Sequence, residues 1–297
     1  MSYKIKNFTI HSEIKAFKFL IDNFDLSMRE AQRWIDKKRV YLNNQVVIKK
    51  HELLFGEVGV IIFEPTTKGL KPIFETSNFA LYDKPSGILV HPANKKTPYS
   101  LTHEIKYQYG KNANITHRID KETSGLVLAS KHREAEKIIK QQFENREIKK
   151  GYLALVNGKI DQVLNIKAPI LKNRDFSDIK LKVHIDDKGK KAQTIITPIE
   201  YFPNKNITLI EATPITGRQH QIRVHLFHVK HSIVGDPIYG VDFRVADDYL
   251  NGVLDQKERI KESGASRLLL QANWIEFKYY NRFKLYSKQN LLDHLNI

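Results

Sequence analysis

Two short segments of this chain hold residues that could do chemistry together. The first is His117-Arg118-Ile119-Asp120-Lys121-Glu122-Thr123-Ser124-Gly125, a charged turn between an apolar approach and a strand-like run. The second is Thr216-Gly217-Arg218-Gln219-His220-Gln221-Ile222-Arg223-Val224-His225. Thr216 followed three residues later by Gln219 has the pattern of a capping box, which predicts a helix starting just before Arg218. A guanidinium in a first helical turn faces the positive end of the helix dipole and calls for an anionic partner. If Asp120 is that partner, Arg218 would hold the acid ionised through a bidentate contact. A fixed, ionised carboxylate in a basic cleft is equipped to be a nucleophile. Taken alone, an aspartate ahead of Thr-Ser-Gly is equally an ordinary turn residue that caps its own backbone.

Other chemistries find little support. Neither G-x-x-x-x-G-K-[ST] nor G-x-G-x-x-G occurs, so no familiar phosphate-cradling loop is present. His103-Glu104 is followed by Tyr107 where a zincin needs histidine. Asp120 to Gly125 opens like a calcium loop, but its twelfth position is Lys131 instead of a bidentate glutamate. His220, His225, His228 and His231 are crowded, yet three-residue steps drift round a helix and no carboxylate lies within the run, so packing, hydrogen bonding or nucleic-acid contact is expected of them and no metal. With no cysteine, disulfides, thiolate metal sites and cysteine nucleophiles are excluded together, and a reducing compartment suits the chain.

The elements that must position these residues belong to a folded protein of 297 residues, 41% hydrophobic, with a formal net charge of +16. So basic a chain points to a polyanion, nucleic acid first, as its large partner. The amino-terminal segment lacks an uninterrupted apolar stretch before a cleavage site, and nowhere does the chain run to about 18 apolar residues, so a soluble cytoplasmic protein with no membrane partner is expected. EPTTKGLKP at 64–72 is breaker-rich and marks a boundary between a domain at 1–66 and another at 73–297, with excess positive charge on both sides. In the first domain, Ile14, Phe17, Leu20 and Ile21 recur at helical spacing, and a second helix runs through Ala31, Trp34 and Ile35. A hairpin turning at Asn43-Asn44 and a strand from Val58 to Phe63 follow. Arg29, Arg33, Lys37, Lys38 and Arg39 make a cationic surface on and after the second helix.

Beyond residue 73, strands are expected at Phe79–Asp83, Gly87–His91, Leu126–Ser130, Tyr152–Val156, Thr194–Tyr201 and Ile207–Ala212, with helices at Arg133–Phe143 and Arg218–Lys230. Several neighbouring strands lack a crossover long enough for a parallel pair. The fold class is therefore α+β: a mixed, largely antiparallel sheet flanked by helices, preceded by a small α+β domain. DQKERIKE at 255–262 reads as a solvated helical face or an insertion.

Residues 27–65 resemble the small RNA-binding module named after ribosomal protein S-four. The resemblance rests on Ser27 and Arg29 opening the helix, Ala31-Gln32 and Ile35 within it, then Arg39-Val40, Leu42-Asn43 and Gly56. Lys38-Arg39 replaces the module's usual glycine, so the turn there has to accept a side chain. It implies RNA contact through Arg29, Arg33, Lys38 and Arg39.

The HRIDKETSG and TGRQHQIRVH segments, with DKPSGILVHP at 83–92 and GDPIYG at 235–240, resemble the RluA family of pseudouridine synthases over most of residues 73–280. The resemblance implies isomerisation of uridine in an RNA chain: the bond from carbon 1′ to ring nitrogen 1 breaks and is remade to carbon 5, with no metal or organic cofactor. It places Asp120 as catalytic aspartate, Arg218 as its paired arginine and Tyr152 as active-site tyrosine. Arg118, with His117 beside it, falls where a side chain enters the RNA stack, and Ile222 lines the uracil pocket. Stacked uridine must be everted at a cost of a few kcal/mol, and an arginine plane can fill the gap. Tyr152 offers a flat face and a hydroxyl able to relay the carbon 5 proton. Gln271 stands where the family commonly has histidine. Ribosomal RNA of the large subunit is the expected substrate, transfer RNA the second, and a monomer the expected state. Two rival readings are a non-catalytic RNA-binding ribosome-assembly protein and a glycoside hydrolase pairing Asp120 with Glu122.

Overall fold

The computed structural model describes residues 3–94, 96–172 and 182–294. Its contacts divide the chain into two units, Met1–Thr67 with Pro92–Tyr99, and Lys68–His91 with Ser100–Ile297. The first unit holds β1 (Tyr3–Lys15), α1 (Ala16–Phe24), α2 (Met28–Asp36), β2 (Val40–Leu42), β3 (Gln45–Val46) and β4 (Leu53–Phe63). Its sheet runs in the order β1-β4-β2-β3, all antiparallel. Ser27 caps α2 in a capping box with Glu30. Asn43 and Asn44 both take positive φ, as the two-residue hairpin turn requires. Phe19, Leu20, Ala31, Ile35, Val40, Leu54, Val58 and Val60 close the core between helices and sheet. Each fully buried aliphatic side chain there contributes about 1.5–3 kcal/mol. Lys38 occupies the left-handed region at φ +52, so the turn before β2 carries a strained side chain. β1 was not legible in the sequence, and Ile14, grouped with the first helix by its spacing, lies in this strand instead.

The second unit opens with β5 (Phe74–Glu75), β6 (Phe79–Lys84), α3 (Leu101–Tyr109), β7 (Asn114–Ile115), β8 (Ser124–Ser130) and α4 (Arg133–Glu144). It continues through β9 (Lys149–Asn157), β10 (Leu164–Lys167), β11 (Ile170–Lys172), β12 (Val183–Ile185), β13 (Gln193–Phe202), β14 (Ile207–Pro214) and α5 (Gln221–His228). It closes with α6 (Phe243–Asn251), α7 (Gln256–Ser263), β15 (Leu270–Tyr279) and β16 (Asn281–Tyr286). Among the described residues the main sheet has the order β10-β13-β14-β9-β15-β8-β6-β5, with β16 on β15 and β7 on β8. Its pairings are antiparallel except β15 with β8. The α+β class and the largely antiparallel sheet expected from the sequence are both present.

β6 and β8 are buried along their whole length, which is why their sequences run apolar without alternation. Phe79, Leu81, Leu126, Leu128 and Ile139 of α4 are among the side chains that fill the space between sheet and helices. Gly125 takes φ +102, and a Cβ there would lie 2.2 Å from the carbonyl oxygen of Ala272, so only glycine lets β8 and β15 approach. The strand expected at Gly87–His91 does not form. The carbonyls of Leu89 and Val90 accept instead from the amides of Leu101 and Thr102 at the start of α3, so helix capping takes the groups a ladder would have used. Among the described residues no helix is long and apolar enough to cross a membrane.

Candidate active site

The HRIDKETSG loop runs into β8, whose antiparallel pairing with β6 sets Lys84 opposite Gly125. This register brings the DKPSG segment against the loop. Lys84 Nζ donates to the carbonyl of Lys121 at 3.0 Å, the amide of Gly87 donates to the same carbonyl at 2.9 Å, and Ser86 Oγ donates to the carbonyl of Glu122 at 2.6 Å. Lys84 is fully buried, and burial brings its amine down to about 7 against the opposing pull of Glu122 and Asp120. Asp120 projects into a cleft of about 910 Å³, its side chain 24% exposed.

The cation facing Asp120 is Arg223, with Nη1 3.4 Å from Oδ2. Arg218, expected in that role, does not pair with it. Its Nε donates to the carbonyl of Lys191 at 3.2 Å, and it lines the cleft as a half-buried residue. The reason lies in where the helix begins. α5 starts at Gln221 after His220, which holds φ +50, so the proposed Thr216–Gln219 capping box does not form. Gln221 organises the turn instead. Its Oε1 accepts from Thr216 Oγ1 at 2.6 Å and from the Arg218 amide at 3.0 Å, while Nε2 donates to Gln193 O and Thr194 Oγ1. Moving the helix start by three residues leaves Arg218 in the preceding loop and turns Arg223 inward.

Arg223 is 3% exposed and shared between two acids. Nε and Nη2 form a bidentate pair with Asp236, each at 2.7 Å, and Nη1 is left for Asp120. Burial works to raise the Asp236 carboxyl. Arg223 and the amides of Ile238 and Tyr239 overcome that and hold it below the ordinary carboxylate range. His220 Nε2 lies 3.8 Å from Asp120 Oδ2, and burial, then Arg223, pushes that imidazole down to about 4, so it is neutral near pH 7.

Tyr152, from the start of β9, and Ile222, from α5, line the same cleft and are each 7% exposed. Burial, then the charge of Asp120, raises the phenol of Tyr152. Gly151 before it packs against Trp274; a Cβ would fall 2.1 Å from the indole nitrogen. Arg118 lines the cleft and is exposed, and Arg146, Lys149, Lys150 and Lys172 join it along the wall. His117 is differently engaged: Nε2 accepts from the Leu128 amide at 3.0 Å, the ring lies 4.7 Å from Phe143, and burial pushes its pKa down to about 3. It is a neutral wall residue without charge to offer phosphate. In the first unit, Arg29, Arg33 and Lys38 are exposed, and Arg39 lies over the rings of Tyr3 and Trp34 at 5.4 and 5.5 Å.

Glu122 cannot serve as second carboxylate of a hydrolase, because Arg259 Nη2 donates to its Oε2 at 2.7 Å away from the open cleft. The DQKERIKE segment thus has a partner in the interior and is more than a solvated face. Gln271 is wholly buried and donates through Nε2 to Ser287 Oγ and Gln289 O, tying down the turn after β16. His225 is fixed by Thr194 Oγ1 and Ala168 O, one at each ring nitrogen. Sequence reasoning missed Arg223 and Asp236 although a signal existed. Arg223 sits in the apolar run Ile222 to Leu226, and Asp236 in Ile233 to Ile238; a charge in such a frame is buried, and buried charges are paired.

Residues 78–228, which include Asp120, Tyr152 and Arg223, match the family described as RNA pseudouridylate synthase. The chain belongs to that family and is an RNA pseudouridine synthase. It is 38% identical over 280 residues to an uncharacterized RNA pseudouridine synthase of Helicobacter pylori, covering 94% of this chain and 93% of the relative. It is 32% identical over 228 residues to the ribosomal large subunit pseudouridine synthase D of Nitrosomonas europaea, covering 72% of this chain and 65% of that one. The fold is shared with the solved structure of human RNA pseudouridylate synthase domain containing 1, at a TM-score of 0.60 and 21% identity, over 79% of this chain and 89% of that one.

Proposed function

We propose that this enzyme isomerises specific uridines of large-subunit ribosomal RNA, with Asp120 as nucleophile acting on a base everted into the cleft. The observation that carries this reading is the Asp120 carboxylate, partly open to the cleft and backed by Arg223 at 3.4 Å, beside Tyr152 and Ile222. A carboxylate is repelled by phosphates, so one maintained in a cleft ringed by Arg118, Arg146, Lys149 and Lys150 needs a chemical reason. Arg118 fills the space left by the base, and Tyr152 stacks on the uracil while its hydroxyl relays the proton released from carbon 5 once the new carbon–carbon bond forms. With that phenol held protonated, the relay passes one proton on as it accepts another.

The first unit is read as an S-four-like RNA-binding module, supported by its capped α2, the exposed Arg29, Arg33 and Lys38, and Arg39 over Tyr3 and Trp34. A small module that grips folded RNA suits a ribosomal substrate, which is also what the name of the Nitrosomonas relative states. The test is pseudouridine mapping by carbodiimide labelling and primer extension in total RNA from cells with and without the gene, complemented by the parent or Asp120→Asn. Loss of discrete large-subunit sites, restored only by the parent, is expected. Restoration by Asp120→Asn refutes the nucleophile, and loss confined to transfer RNA refutes the substrate.

A further inference from the structure

We propose that Arg259, on the α6–α7 hairpin, is a positioning residue for the reaction: it grips Glu122 and thereby fixes the loop that carries Asp120 and Arg118. The inference rests on Asp120 being the reacting acid.

The contacts of Asp120 are long, 3.4 Å to Arg223 and 3.8 Å to His220, so they do not define its place tightly. Its accuracy must come from the backbone that bears it. The far half of the loop is held at the carbonyls of Lys121 and Glu122 by Lys84, Ser86 and Gly87. The Glu122 side chain is held from the other side. Arg259 Nη2 donates to Glu122 Oε2 at 2.7 Å and to Gly235 O at 3.1 Å, and its guanidinium lies 5.5 Å from the centre of the Tyr249 ring. Hairpin and loop are thus joined by an ion pair largely shielded from solvent, its side chains 13% and 10% exposed, two residues from the reacting acid.

Apart from this grip the hairpin packs modestly, with Tyr249 and Leu250 at the edge of an apolar cluster that holds Ile238 and Tyr239. No residue of α7 is buried, and α6 buries only Val245 and Ala246. Between Asp242 and Glu262 it carries six carboxylates and four cations in a chain of net charge +16, so it is ill suited to grip RNA. A buried ion pair adds little stability over a well-packed apolar pair, so its merit lies in orientation. Misplacement of a reacting group by about 1 Å can cost on the order of 100-fold in rate.

The test measures single-turnover rate at saturating enzyme, RNA affinity and Tm for Arg259→Lys, Arg259→Met and Arg259→Met/Glu122→Gln. In Arg259→Met the rate falls about 10- to 100-fold while Kd for RNA stays within about threefold, and Arg259→Lys recovers most of the rate. The double variant, which no longer buries an unpaired carboxylate, regains Tm but not rate. A rate within about twofold of the parent in Arg259→Met, or recovered together with Tm in the double variant, overturns the proposal, as does a loss confined to RNA affinity. Asp120→Asn in the same assay isolates the underlying reading: retained activity there refutes that reading, whereas an inactive Asp120→Asn beside a fully active Arg259→Met refutes only the role of Arg259.

Discussion

Exchanging the two arginines of the TGRQHQIRVH segment separates holding an acid from holding RNA. Arg223 donates to Asp236 through two 2.7 Å bonds and reaches Asp120 with what remains. Arg223→Lys keeps the charge but has a single ammonium, which cannot serve both acids. Removing one preorganised electrostatic contact typically costs about 100- to 1,000-fold in rate, and that loss is expected in the single-turnover rate, with RNA affinity within about threefold. Arg223→Met also leaves Asp236, 1% exposed, without its cation. Breaking a buried pair costs about 3–5 kcal/mol, and the amides of Ile238 and Tyr239 retain part of the support, so about 3 kcal/mol is expected. For a unit of this size that lowers Tm by about 6–12 °C. Arg218→Ala does neither, because its side chain pairs with no acid among the described residues and is bonded to the carbonyl of Lys191. Its expected signature is a turnover rate within about threefold and weaker RNA binding, with a salt slope shallower by about one unit. Tm comes from calorimetry, rates from tritium release from carbon 5, and affinity from filter binding at several salt concentrations. An Arg218→Ala enzyme that binds RNA normally but does not turn over, beside an Arg223→Lys enzyme near full rate, would show that the wrong arginine has been assigned.

Two further outcomes follow from packing and protonation. Gly151→Ala places a methyl 2.1 Å from the Trp274 nitrogen and should cost about 1–3 kcal/mol, read as a lower urea midpoint, with activity lost through the displaced Tyr152; a variant as stable as the parent contradicts that close contact. His117 and His220 are held neutral, with pKa values pushed down to about 3 and about 4, against about 6.5 in the unfolded chain. Below pH 6.5 the unfolded chain therefore binds more protons, so this contribution is complete above 6.5 and declines as pH falls. At pH 5 each histidine lowers stability by about 2 kcal/mol relative to pH 7.5, and equal urea midpoints at the two values would contradict their burial as neutral rings.

Much of the frame could be read from local pattern. The turn at Asn43-Asn44, the amphipathic α2 and α4, and the apolar runs of β6 and β8 each carry a short-range signal of type and extent. Asp120, Tyr152 and Ile222 were also legible, through the family likeness of their segments, and the structure brings all three to one cleft. What failed did so for reasons a linear pattern does not carry. The start of α5 depends on the Gln221 side chain bonding to Thr216 and to Gln193, a residue of another strand. Leu89 and Val90 have strand-like neighbours, but their carbonyls serve α3. Arg259 looked like one of several charges on a solvated helix, because its partner Glu122 lies 137 residues away.

Those spans govern when the enzyme can become active. Asp120 and Arg223 are 103 residues apart, and Glu122 and Arg259 still further. Closing a loop of about 100 residues costs on the order of 2 kcal/mol more chain entropy than closing one of about 10. Hairpins such as β13–β14 can zip early, whereas the acid meets its cations only after α5, the α6–α7 hairpin and β15 have docked. A fragment that stops before β15 holds Asp120, Tyr152 and Arg223 but lacks the strand that joins β8 to β9, and is expected to be inert.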